Sequence, residues 1–445
     1  MPSTARANDT IAAVATPPGQ GGIGIVRISG PLAARIGATV TGAELPRRRP
    51  ALRNFVRRGE SLDRGVALYF PGPGSFTGED VVELQGHGGP MVLQMVLEAA
   101  LTEGARLARP GEFTERAYVN GKLDLAQAEA VADLIASTSA AAARGAFRSL
   151  EGAFSTQVHA LDERITRLRV YVEASIDFPD EEVEILASGQ VAERIDRLVS
   201  SVRALLEQGR QGVLMNQGVN IALVGPPNSG KSSLLNRLTG EETAIVTDIP
   251  GTTRDLLKVD LVIDNLPLRL VDTAGLRETE DRVEVEGVRR ARREAGRADL
   301  VLALNDLADS RADDVASAWP HALPVDNKID LVGVAPGMDR SSTPARVRIS
   351  CLTGAGIDSL KEAIKERVGF AGAESAFSAR RRHLVALGQA SEALETSRRR
   401  LEEGAAGEIV AEELRQAHLA LGEITGQTAP DDLLGEIFST FCIGK

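Results

Sequence analysis

The order of hydrophobic and polar positions divides the chain into strand-like and helix-like stretches. Unbroken or alternating apolar runs predict strands at 25–28, 62–70, 81–84, 221–224, 268–271 and 322–325. Apolar residues that recur at intervals of mostly four and three predict long amphipathic helices at 150–172 and 191–205, and similar helical spacing predicts further helices at 384–394 and 409–421. A shorter helix is predicted from Met91 to about Leu101.

The long helices lie on both sides of the stretch 217–371, in which strands and helices alternate. Because every amphipathic helix needs a partner to bury its apolar stripe, both flanks are expected to form one helical domain with an α/β domain inserted between them. We therefore predict a multidomain α/β fold. Its parts are an N-terminal α+β domain (1–119), a first helical part (120–216), the inserted α/β domain (217–371), and a second helical part with a terminal CIGK tail (372–445).

Composition favours a cytoplasmic protein. The 445 residues include two cysteines, too few for a disulfide framework. The N-terminus has no basic and apolar leader, and no apolar run approaches the roughly 18 residues of a membrane span. The net charge of −11 argues against non-specific binding of nucleic acid. Basic clusters such as 398–400 are interpreted as solvated helix faces, so an RNA substrate would need a partner for much of its binding.

A phosphate-binding loop is predicted between the strand at 221–224 and the helix after it. Gly225 to Ser232 fits the pattern G-x-x-x-x-G-K-[ST], in which small residues let backbone N–H groups converge on phosphate oxygens. Lys231 is expected to span the β and γ phosphates as a catalytic group, and the Ser232 hydroxyl to bind Mg²⁺. A plain turn with a surface lysine is the alternative, which the flanking pattern disfavours. The predicted contacts are Asn228, Ser229, Gly230, Lys231, Ser232 and Ser233.

A second motif predicts that the base is guanine. Asn327-Lys328-Ile329-Asp330 follows the strand at 322–325, at the edge where open α/β sheets bind ligands. The Asp330 carboxylate can accept hydrogen bonds from N1–H and the exocyclic amine of guanine, whereas adenine presents the opposite pattern. Asn327 is expected to bridge the base edge and the phosphate loop. The predicted contacts are Asn327, Lys328 and Asp330, together with Ser350, Cys351 and Leu352, whose loop would offer an N–H to the guanine O6.

Two further stretches are predicted to contact the γ-phosphate. Asp272-Thr273-Ala274-Gly275 follows the strand at 268–271, so Asp272 can hold the metal through water and the Gly275 amide can meet the terminal phosphate. The loop Thr247-Asp248-Ile249-Pro250-Gly251-Thr252-Thr253 supplies hydroxyls, and Thr253 is the second predicted Mg²⁺ ligand and catalytic contact. Leu276 stands where many GTPases have the glutamine that orients water, so another group must position the attacking water.

The chain combines the phosphate loop with the motifs TDIPGTTRD, DTAGLRE, NKID and a terminal FCIGK. In these motifs it resembles the bacterial MnmE (TrmE) family of tRNA uridine-modification GTPases. The resemblance implies a potassium ion in the place of an arginine finger. Its implied ligands are Asn228, Thr247, Thr252 and the carbonyl of Ile249. Glu284 is implied as the catalytic residue that acts on the attacking water through a bridge.

The resemblance also implies what the protein does and with which partners. It implies a potassium-dependent GTPase that is a homodimer and works with an FAD-dependent partner of the MnmG (GidA) type, in a heterotetramer or a larger complex. A tRNA substrate would receive an aminomethyl or carboxymethylaminomethyl group at C5 of its wobble uridine, with a one-carbon unit from 5-formyl- or methylene-tetrahydrofolate. Two departures from the family pattern are Pro226 in place of an arginine and Cys351 in place of a small residue. The alternative function is a ribosome-assembly GTPase that modifies nothing.

The N-terminal segment carries a formal dinucleotide-binding pattern that its context rejects. Gly19 to Gly24 matches G-x-G-x-x-G, but a strand-like alternation follows, which predicts two strands with Arg27 on the second. The resemblance instead implies a dimerisation domain similar to the folate-binding domains of one-carbon enzymes. Its implied folate contacts are Arg27, Glu83, Lys122 and Lys445. The tail is implied to return toward this site, and Cys442, whose chemical role stays open, is a candidate for the modification chemistry.

Overall fold

The computed structural model describes residues 9–176, 189–241, 243–245, 258–272, 295–309, 315–319, 321–372 and 377–444. Contacts between residues define two compact units. The first comprises Met1–Ala132, Leu150–Leu198 and Glu392–Lys445, and the second comprises Asp133–Ser149 and Val199–Ser391. Each unit is therefore built from segments that are distant in the sequence.

A six-stranded sheet belongs to the first unit. Its strands are β1 (Ile11–Val14), β2 (Gly21–Ser29), β3 (Ala51–Arg57), β4 (Glu60–Phe70), β5 (Val81–Gly88) and β6 (Arg106–Leu107), in the spatial order β3-β4-β5-β2-β1-β6. All neighbouring pairs are antiparallel except β1 with β6. β1 pairs with β2 as expected, and β2 starts at Gly21, so the glycines at 19–24 lead into a strand instead of a nucleotide-binding helix.

Two helices, α1 (Ala33–Thr41) and α2 (Pro90–Thr102), pack on this sheet. Their shared core contains Val26, Ile28, Ile36, Phe55, Val82, Leu84 and Val96. The hydrophobic pattern did not predict β3, because only Ala51 and Phe55 of its seven residues are buried, and Leu52 is 58% exposed. An edge strand of this kind lacks the regular alternation that identifies strands in a sequence.

The first unit also contains described helices from both sides of the inserted α/β segment. They are α3 (Glu112–Val119), α6 (Ala153–Ile176), α12 (Gly407–Thr425) and α13 (Asp431–Ser439). α6 packs along α12, and the predicted apolar residues of α6 from Phe154 to Val172 are buried. Helices from both sides of the inserted α/β segment therefore pack together, as their apolar stripes predicted. Four of the described helices contribute residues to both units, namely α4 (Leu125–Ala136), α5 (Ala140–Leu150), α7 (Gln190–Gln217) and α11 (Arg381–Glu402).

Two residues of the predicted stripes were assigned wrongly. Leu150 ends α5 and lies before the long helix, which begins at Ala153. Ile409 is exposed on α12, whereas its neighbour Val410 is buried. One residue corresponds to a rotation of about 100° around a helix, which is enough to exchange a core position for a solvent position. Among the described residues, every helix is too short or too polar to cross a bilayer.

The second unit contains an eight-stranded sheet. Its strands are β7 (Val219–Val224), β8 (Thr243–Ile245), β9 (Lys258–Ile263), β10 (Leu266–Asp272), β11 (Leu300–Asp306), β12 (Leu323–Asn327), β13 (Gly337–Asp339) and β14 (Arg346–Arg348), in the order β13-β14-β12-β11-β7-β10-β9-β8. The five strands from β14 to β10 are parallel, and the outer pairs are antiparallel. The accompanying helices are α8 (Lys231–Glu241), a 3-10 turn (Val315–Ala318), α9 (Ile329–Val332) and α10 (Ile357–Val368).

An ion-pair network surrounds the start of α3 in the first unit. Glu112, only 2% exposed, accepts hydrogen bonds from Nη2 and Nη1 of Arg106 at 2.5 and 2.9 Å. Asp9 accepts from Nε of Arg106 and from Nη2 of Arg116, both at 2.6 Å. Arg116 also donates to Glu79 at 3.1 Å. The network ties the start of the chain, β6, α3 and the end of the loop between β4 and β5 to one another.

The charged state of this network depends on its hydrogen bonds. Burial by itself raises the pKa of Glu112, but donors from Arg106 and the Arg109 amide outweigh that effect and lower the pKa to about 2. The pKa of Asp9 is also lowered, because Arg106 and Arg116 outweigh its burial. Since the pKa of Glu112 is depressed from 4.5 in the folded state, its contribution to stability is complete above about pH 4.5 and is lost as the pH falls toward 2.

Replacing Glu112 by glutamine keeps the shape of the side chain and removes the charge that faces Arg106 and Arg116. We expect local opening around α3 to become easier by about 2–4 kcal/mol at pH 7, because a buried arginine network loses an anionic partner. Hydrogen exchange of peptides spanning 106–120, read by mass spectrometry, measures this opening. The difference from the wild type should shrink as the pH falls from about 4.5 toward 2, because in this range the locally open state takes up a proton at Glu112 before the folded state does.

Glu115→Gln is the matched control for that experiment. Glu115 lies on the same helix and pairs with Arg109 at 2.7 Å, but that arginine is 45% exposed. A pair of this kind stabilises by less than about 1 kcal/mol. Equal effects of the two substitutions would contradict the importance of the buried carboxylate.

Candidate functional site

Neighbouring parallel strands of the second sheet end at one edge. β7 pairs in parallel with β10 and β11, and β11 pairs in parallel with β12. β7 leads into the loop 225–230, and β10 ends at Asp272, which pairs in register with Leu223. β11 and β12 end together at Asp306 and Asn327. The predicted phosphate, metal and base motifs therefore start from adjacent strands, at the edge where such sheets bind ligands.

The loop 225–230 requires small residues at two positions. A Cβ on Gly225 would stand 2.5 Å from the Leu304 carbonyl oxygen. Gly230 has a φ of +100°, and a Cβ there would stand 2.1 Å from Nδ2 of Asn327. Asn228, which is exposed, has a φ of +64°, a left-handed conformation that asparagine adopts more readily than most residues. The glycines of the motif are thus explained by the packing of the loop against β11 and β12.

The first turn of α8 presents the predicted phosphate ligands. Nζ of Lys231 is buried and donates to the carbonyls of Gly225 and Pro226, both at 2.8 Å. Ser232 and Ser233 are exposed at the helix N-terminus, where backbone N–H groups point toward a bound anion. An ammonium, hydroxyls and backbone amides in one turn form a donor set that fits nucleotide phosphates.

Asn327 joins the phosphate loop to the predicted base-reading loop. Its Nδ2 donates to the Ser229 carbonyl at 2.9 Å, and its Oδ1 accepts from the Cys351 amide at 3.0 Å. Asn327 is only 2% exposed, so an unmade bond would leave a polar group buried without a partner. The hydroxyl of Ser229 is also buried, and within the described part of the chain it has no hydrogen-bond partner. One amide side chain therefore sets the spacing of two loops.

Lys328 and Asp330 lie where β12 turns into α9. Lys328 has a φ of +65°, and its Nζ pairs with Oδ2 of Asp306 at 2.5 Å. Asp330 lies in the first turn of α9 and is exposed. The carboxylate predicted to read the base is thus accessible, while the lysine beside it is held by the end of β11. Asp306 was not predicted from the sequence, because an aspartate at a strand end carries no distinctive pattern.

Ser350, Cys351 and Leu352 follow β14. Ser350 and Cys351 are buried, and Leu352 is exposed. Burial raises the pKa of the Cys351 thiol to about 11; the Arg237 guanidinium opposes this shift and the Asp330 carboxylate adds to it. The thiol is therefore protonated at neutral pH and acts as a small apolar side chain. The electrostatic influence of Asp330 indicates that this carboxylate lies close to the loop.

Arg237 is a site residue that the sequence motifs did not reveal. It lies on α8, and its Nε and Nη2 donate to the carbonyls of Cys351 and Leu352 at 3.0 and 2.5 Å. The side chain therefore holds the predicted base-reading loop against the helix that follows the phosphate loop. In the sequence, its signal is only a cation beside the apolar stripe of Leu234 and Leu238.

Several predicted contacts lie outside the described residues. They are Thr247, Asp248, Ile249, Pro250, Gly251, Thr252, Thr253, Thr273, Ala274, Gly275, Glu284 and Lys445. For Asp272, the structure gives the backbone position at the end of β10.

A second group of predicted residues lies on the sheet of the first unit. Arg27 on β2 and Glu83 on β5 stand directly opposite each other in antiparallel register. Nε and Nη2 of Arg27 lie 3.0 and 2.9 Å from Oε1 of Glu83, and the side chains are 20% and 15% exposed. The Arg27 guanidinium lies 6.0 Å and 5.8 Å from the ring centres of Phe76 and Phe113. The pair is thus partly buried beside aromatic side chains.

The C-terminal segment approaches the same pair. The Gly444 carbonyl accepts a hydrogen bond from Nη1 of Arg27 at 3.4 Å. A Cβ on Gly444 would stand 2.4 Å from the Val14 carbonyl, so the segment lies directly on β1. Cys442 is exposed, and its carbonyl accepts from the Gly111 amide at 3.3 Å.

Lys122 lies near the loop that joins β4 to β5. It is exposed, and its Nζ donates to the Pro73 carbonyl at 3.1 Å. The same loop carries Phe76, which lies beside Arg27. The structure therefore brings Arg27, Glu83 and the C-terminal segment together, and connects Lys122 to them through this loop.

Partial likenesses to solved structures exist. The G domain of the T. maritima FeoB iron transporter is 26% identical and covers 34% of this chain and 98% of its own, with a TM-score of 0.26. Aquifex aeolicus Era bound to GDP and AlF4⁻ is 26% identical and covers 39% of this chain and 66% of its own, with a TM-score of 0.25. At these TM-scores, neither likeness has weight in assigning the family.

Full-length relatives are much more similar. The tRNA modification GTPase MnmE of Pseudomonas paraeruginosa is 52% identical over 452 residues, which cover 99% of both chains. The protein of the same name from Nitrosococcus oceani is 53% identical over 451 residues, covering 99% of this chain and 98% of its own. That of Photobacterium profundum is 50% identical over 450 residues.

Two family models match successive parts of the chain. The model described as the GTP-binding protein TrmE N-terminus matches residues 10–122, and the model of the MnmE helical domain matches residues 125–442. The second match spans well over half of the chain, and the curated relatives align with nearly all of it. The chain therefore belongs to the MnmE (TrmE) family of tRNA modification GTPases.

Proposed function

We propose that this protein is a potassium-dependent GTPase that takes part in modifying C5 of the wobble uridine in certain tRNAs. With an FAD-dependent partner of the MnmG (GidA) type, it adds an aminomethyl or carboxymethylaminomethyl group, and the one-carbon unit comes from 5-formyl- or methylene-tetrahydrofolate. The observation that carries the nucleotide part is the Asn327 side chain, which bonds to both the phosphate loop and the loop after β14. Full-length similarity to curated tRNA modification GTPases supports the rest.

The phosphate loop binds and orients the triphosphate. Its backbone amides and the α8 N-terminus hold the phosphate oxygens, and the Lys231 ammonium exchanges the Gly225 and Pro226 carbonyls for phosphate oxygens. Ser232 and Thr253 would hold Mg²⁺, and Asp272 would hold it through water. When bound, Mg²⁺ neutralises charge that develops on the transferred phosphoryl group.

Guanine is read by the exposed Asp330 carboxylate and by the loop 350–352. Asp330 accepts from two donors on guanine, while the loop after β14 offers a backbone N–H to O6. Arg237 has an indirect role in this proposal. It positions the loop through the carbonyls of Cys351 and Leu352.

Potassium activation is supported by the resemblance and by Asn228. The exposed side chain of Asn228, held at φ +64°, offers a carbonyl oxygen at the rim of the phosphate loop. Thr247, Thr252 and the Ile249 carbonyl complete the proposed ligand set, and Glu284 acts on the attacking water. A bound cation supplies positive charge to the phosphates where other GTPases use an arginine.

The tetrahydrofolate derivative is proposed to bind at Arg27, Glu83, Lys122 and Lys445. A carboxylate such as Glu83 pairs with the amine and ring N–H of a pterin, cations suit the glutamate tail, and Phe76 and Phe113 border the pair with aromatic surface. Cys442, which is exposed in the C-terminal segment, is proposed as a modification residue.

We also propose that the protein is a homodimer and acts in the cytoplasm. The alternative, a ribosome-assembly GTPase, shares the nucleotide site and lacks a reason to bind folate. The Arg27–Glu83 pair beneath the C-terminal segment favours the modification enzyme. Titration with 5-formyltetrahydrofolate separates the two functions, because only the modification enzyme is expected to bind it.

Asp330→Asn should shift base preference from guanine to xanthine. The amide no longer accepts two hydrogen bonds, but it can donate to the C2 oxygen of xanthine. We expect the ratio of xanthine to guanine nucleotide affinity to rise on the order of 100-fold, measured by competition between GDP and XDP for a fluorescent nucleotide.

Arg237→Ala is the matched variant, because Arg237 contacts the loop 350–352. It should weaken the binding of both nucleotides by about tenfold and leave the ratio of their affinities unchanged, because it removes two charge-assisted hydrogen bonds that position the loop. An unchanged ratio in Asp330→Asn would remove Asp330 from base recognition. A changed ratio in Arg237→Ala would show that the arginine does more than position the loop.

GTP hydrolysis should be about tenfold or more faster in KCl than in NaCl at equal ionic strength. Asn228→Gly should bring the two rates together, because glycine removes the ligand and adopts φ +64° without strain. The affinity for GDP should stay within a few-fold of the wild type. Equal wild-type rates in the two salts would exclude the potassium site.

Glu83→Gln should weaken 5-formyltetrahydrofolate binding by tenfold or more in calorimetric titrations. The reason is that a carboxylate, which accepts hydrogen bonds from two donors, becomes an amide. GTP hydrolysis should be unaffected. Glu98→Gln is the matched control, since Glu98 also pairs with an arginine, Arg57 at 2.8 Å, elsewhere in the same unit. Equal folate affinities of both variants would refute the assignment of Glu83.

A further inference from the structure

We propose that an arginine-lined cleft between α6 and α7 binds the phosphodiester backbone of RNA. The cleft has a volume of about 270 Å³. It is lined by Arg164, Arg167, Leu168, Arg194, Arg197 and Leu198. All six residues belong to the first unit and lie outside the nucleotide and folate sites. The inference rests on one part of the proposed function, namely that tRNA is the substrate.

The cleft combines an apolar floor with charged walls. Leu168 and Leu198 are each 2% exposed, and the four arginines around them are exposed. On each helix the arginines are three residues apart, so each pair lies on one face of its helix. Four guanidinium groups therefore meet at one seam. The sequence did not predict this, because no two of them are adjacent in a basic run.

Two of the cleft arginines pair with carboxylates that are themselves exposed. Glu163 pairs with Arg167 at 3.6 Å, and Glu193 pairs with Arg197. All four partners in these two pairs are more than 60% exposed, so both pairs are screened and easily exchanged for another anion. The nearby Asp162 and Asp196 are engaged elsewhere, by His418 at 2.6 Å and by Arg398 at 3.1 Å.

One arginine is held in place by an aromatic ring. The Arg194 guanidinium lies 4.8 Å from the ring centre of Tyr171. Such a stack fixes the plane of the guanidinium while its N–H groups remain able to donate. Arg194 is therefore oriented before a ligand arrives, which reduces the entropy lost on binding.

The chemistry favours a chain of phosphates. Guanidinium groups bind phosphate oxygens through two parallel N–H bonds, and this lining contains arginine and no lysine. Four of them on two helices offer more donors than one phosphate can accept. In a chain of net charge −11, electrostatic attraction of RNA requires a local positive surface of this kind.

The test compares two double variants of the full-length protein. Arg167→Gln with Arg194→Gln removes one arginine from each side of the cleft. Arg399→Gln with Arg400→Gln is the control, since it makes the same charge change on exposed helical residues of the same unit and also breaks one ion pair, between Arg400 and Glu403. Glutamine keeps the helical propensity, and circular dichroism checks that the fold is retained.

Binding of a labelled, unmodified tRNA is measured by fluorescence anisotropy over a range of KCl concentrations. We expect the cleft variant to bind about tenfold or more weakly and to lower the slope of log affinity against log salt by about 1.4–1.8, which corresponds to two lost phosphate contacts. The control should remain within about twofold of the wild type. Intrinsic GTP hydrolysis should be the same in all three proteins, because the cleft is remote from the nucleotide residues in sequence and belongs to the other unit.

Four outcomes would overturn the proposal. An unchanged affinity and salt slope in the cleft variant would refute it and leave the proposed function intact. A wild type that binds no tRNA would also refute it but would leave the proposed function standing, because a partner is expected to supply much of the tRNA binding. Loss of binding to the flavoprotein partner with unchanged tRNA affinity would assign the cleft to a protein contact. If inorganic phosphate displaces tRNA more strongly than chloride does at equal ionic strength, the cleft is assigned to a free anion.

Discussion

The nucleotide-binding edge of the second unit depends on a buried amide. Asn327 donates to the carbonyl of Ser229 and accepts from the amide of Cys351, so a single planar group links the loop after β7 to the loop after β14. This contact also imposes the glycine at 230, because a Cβ there would occupy the position of the Asn327 nitrogen. The conformation of the phosphate loop therefore depends on the side chain at position 327, about a hundred positions later in the sequence. Arg237 reinforces the same geometry from α8.

Charge in the first unit is organised in a different way. Around Glu112, arginines and carboxylates satisfy one another in a largely buried network, and the low pKa of that carboxyl reflects how completely it is paired. Arg27 and Glu83 are paired across two strands, yet they remain partly exposed beneath the C-terminal segment. Of the arginines between α6 and α7, Arg167 and Arg197 pair with exposed glutamates. From the first group to the third, the charges become progressively more available to an external ligand.

Much of the nucleotide site could be predicted because its chemistry requires particular residues at fixed spacing. Gly225 to Ser232 and Asn327 to Asp330 are recognisable without a fold, and β7 and β12 end where these motifs predicted. Arg237 and Asp306 could not be predicted, because their roles arise from proximity that the sheet creates. Arg27 and Glu83 were named only through family resemblance; their cross-strand register becomes visible only when β2 and β5 are paired. The strand β3 and the rotation of Ile409 were missed for a related reason, since weak or shifted periodicity is resolved only by tertiary packing.

The packing of α6 against α12 has a consequence for biosynthesis. His418 contacts Asp162 and Thr166, residues more than 250 positions earlier, across the seam between these helices. A ribosome delivers α6 long before α12, so α6 must wait with an apolar stripe exposed while the whole nucleotide-binding segment is made. The sheet β1–β6 and the second sheet are formed from more local segments and can acquire structure earlier. During translation, the long interval before α12 emerges is the period in which the nascent chain most needs protection from aggregation.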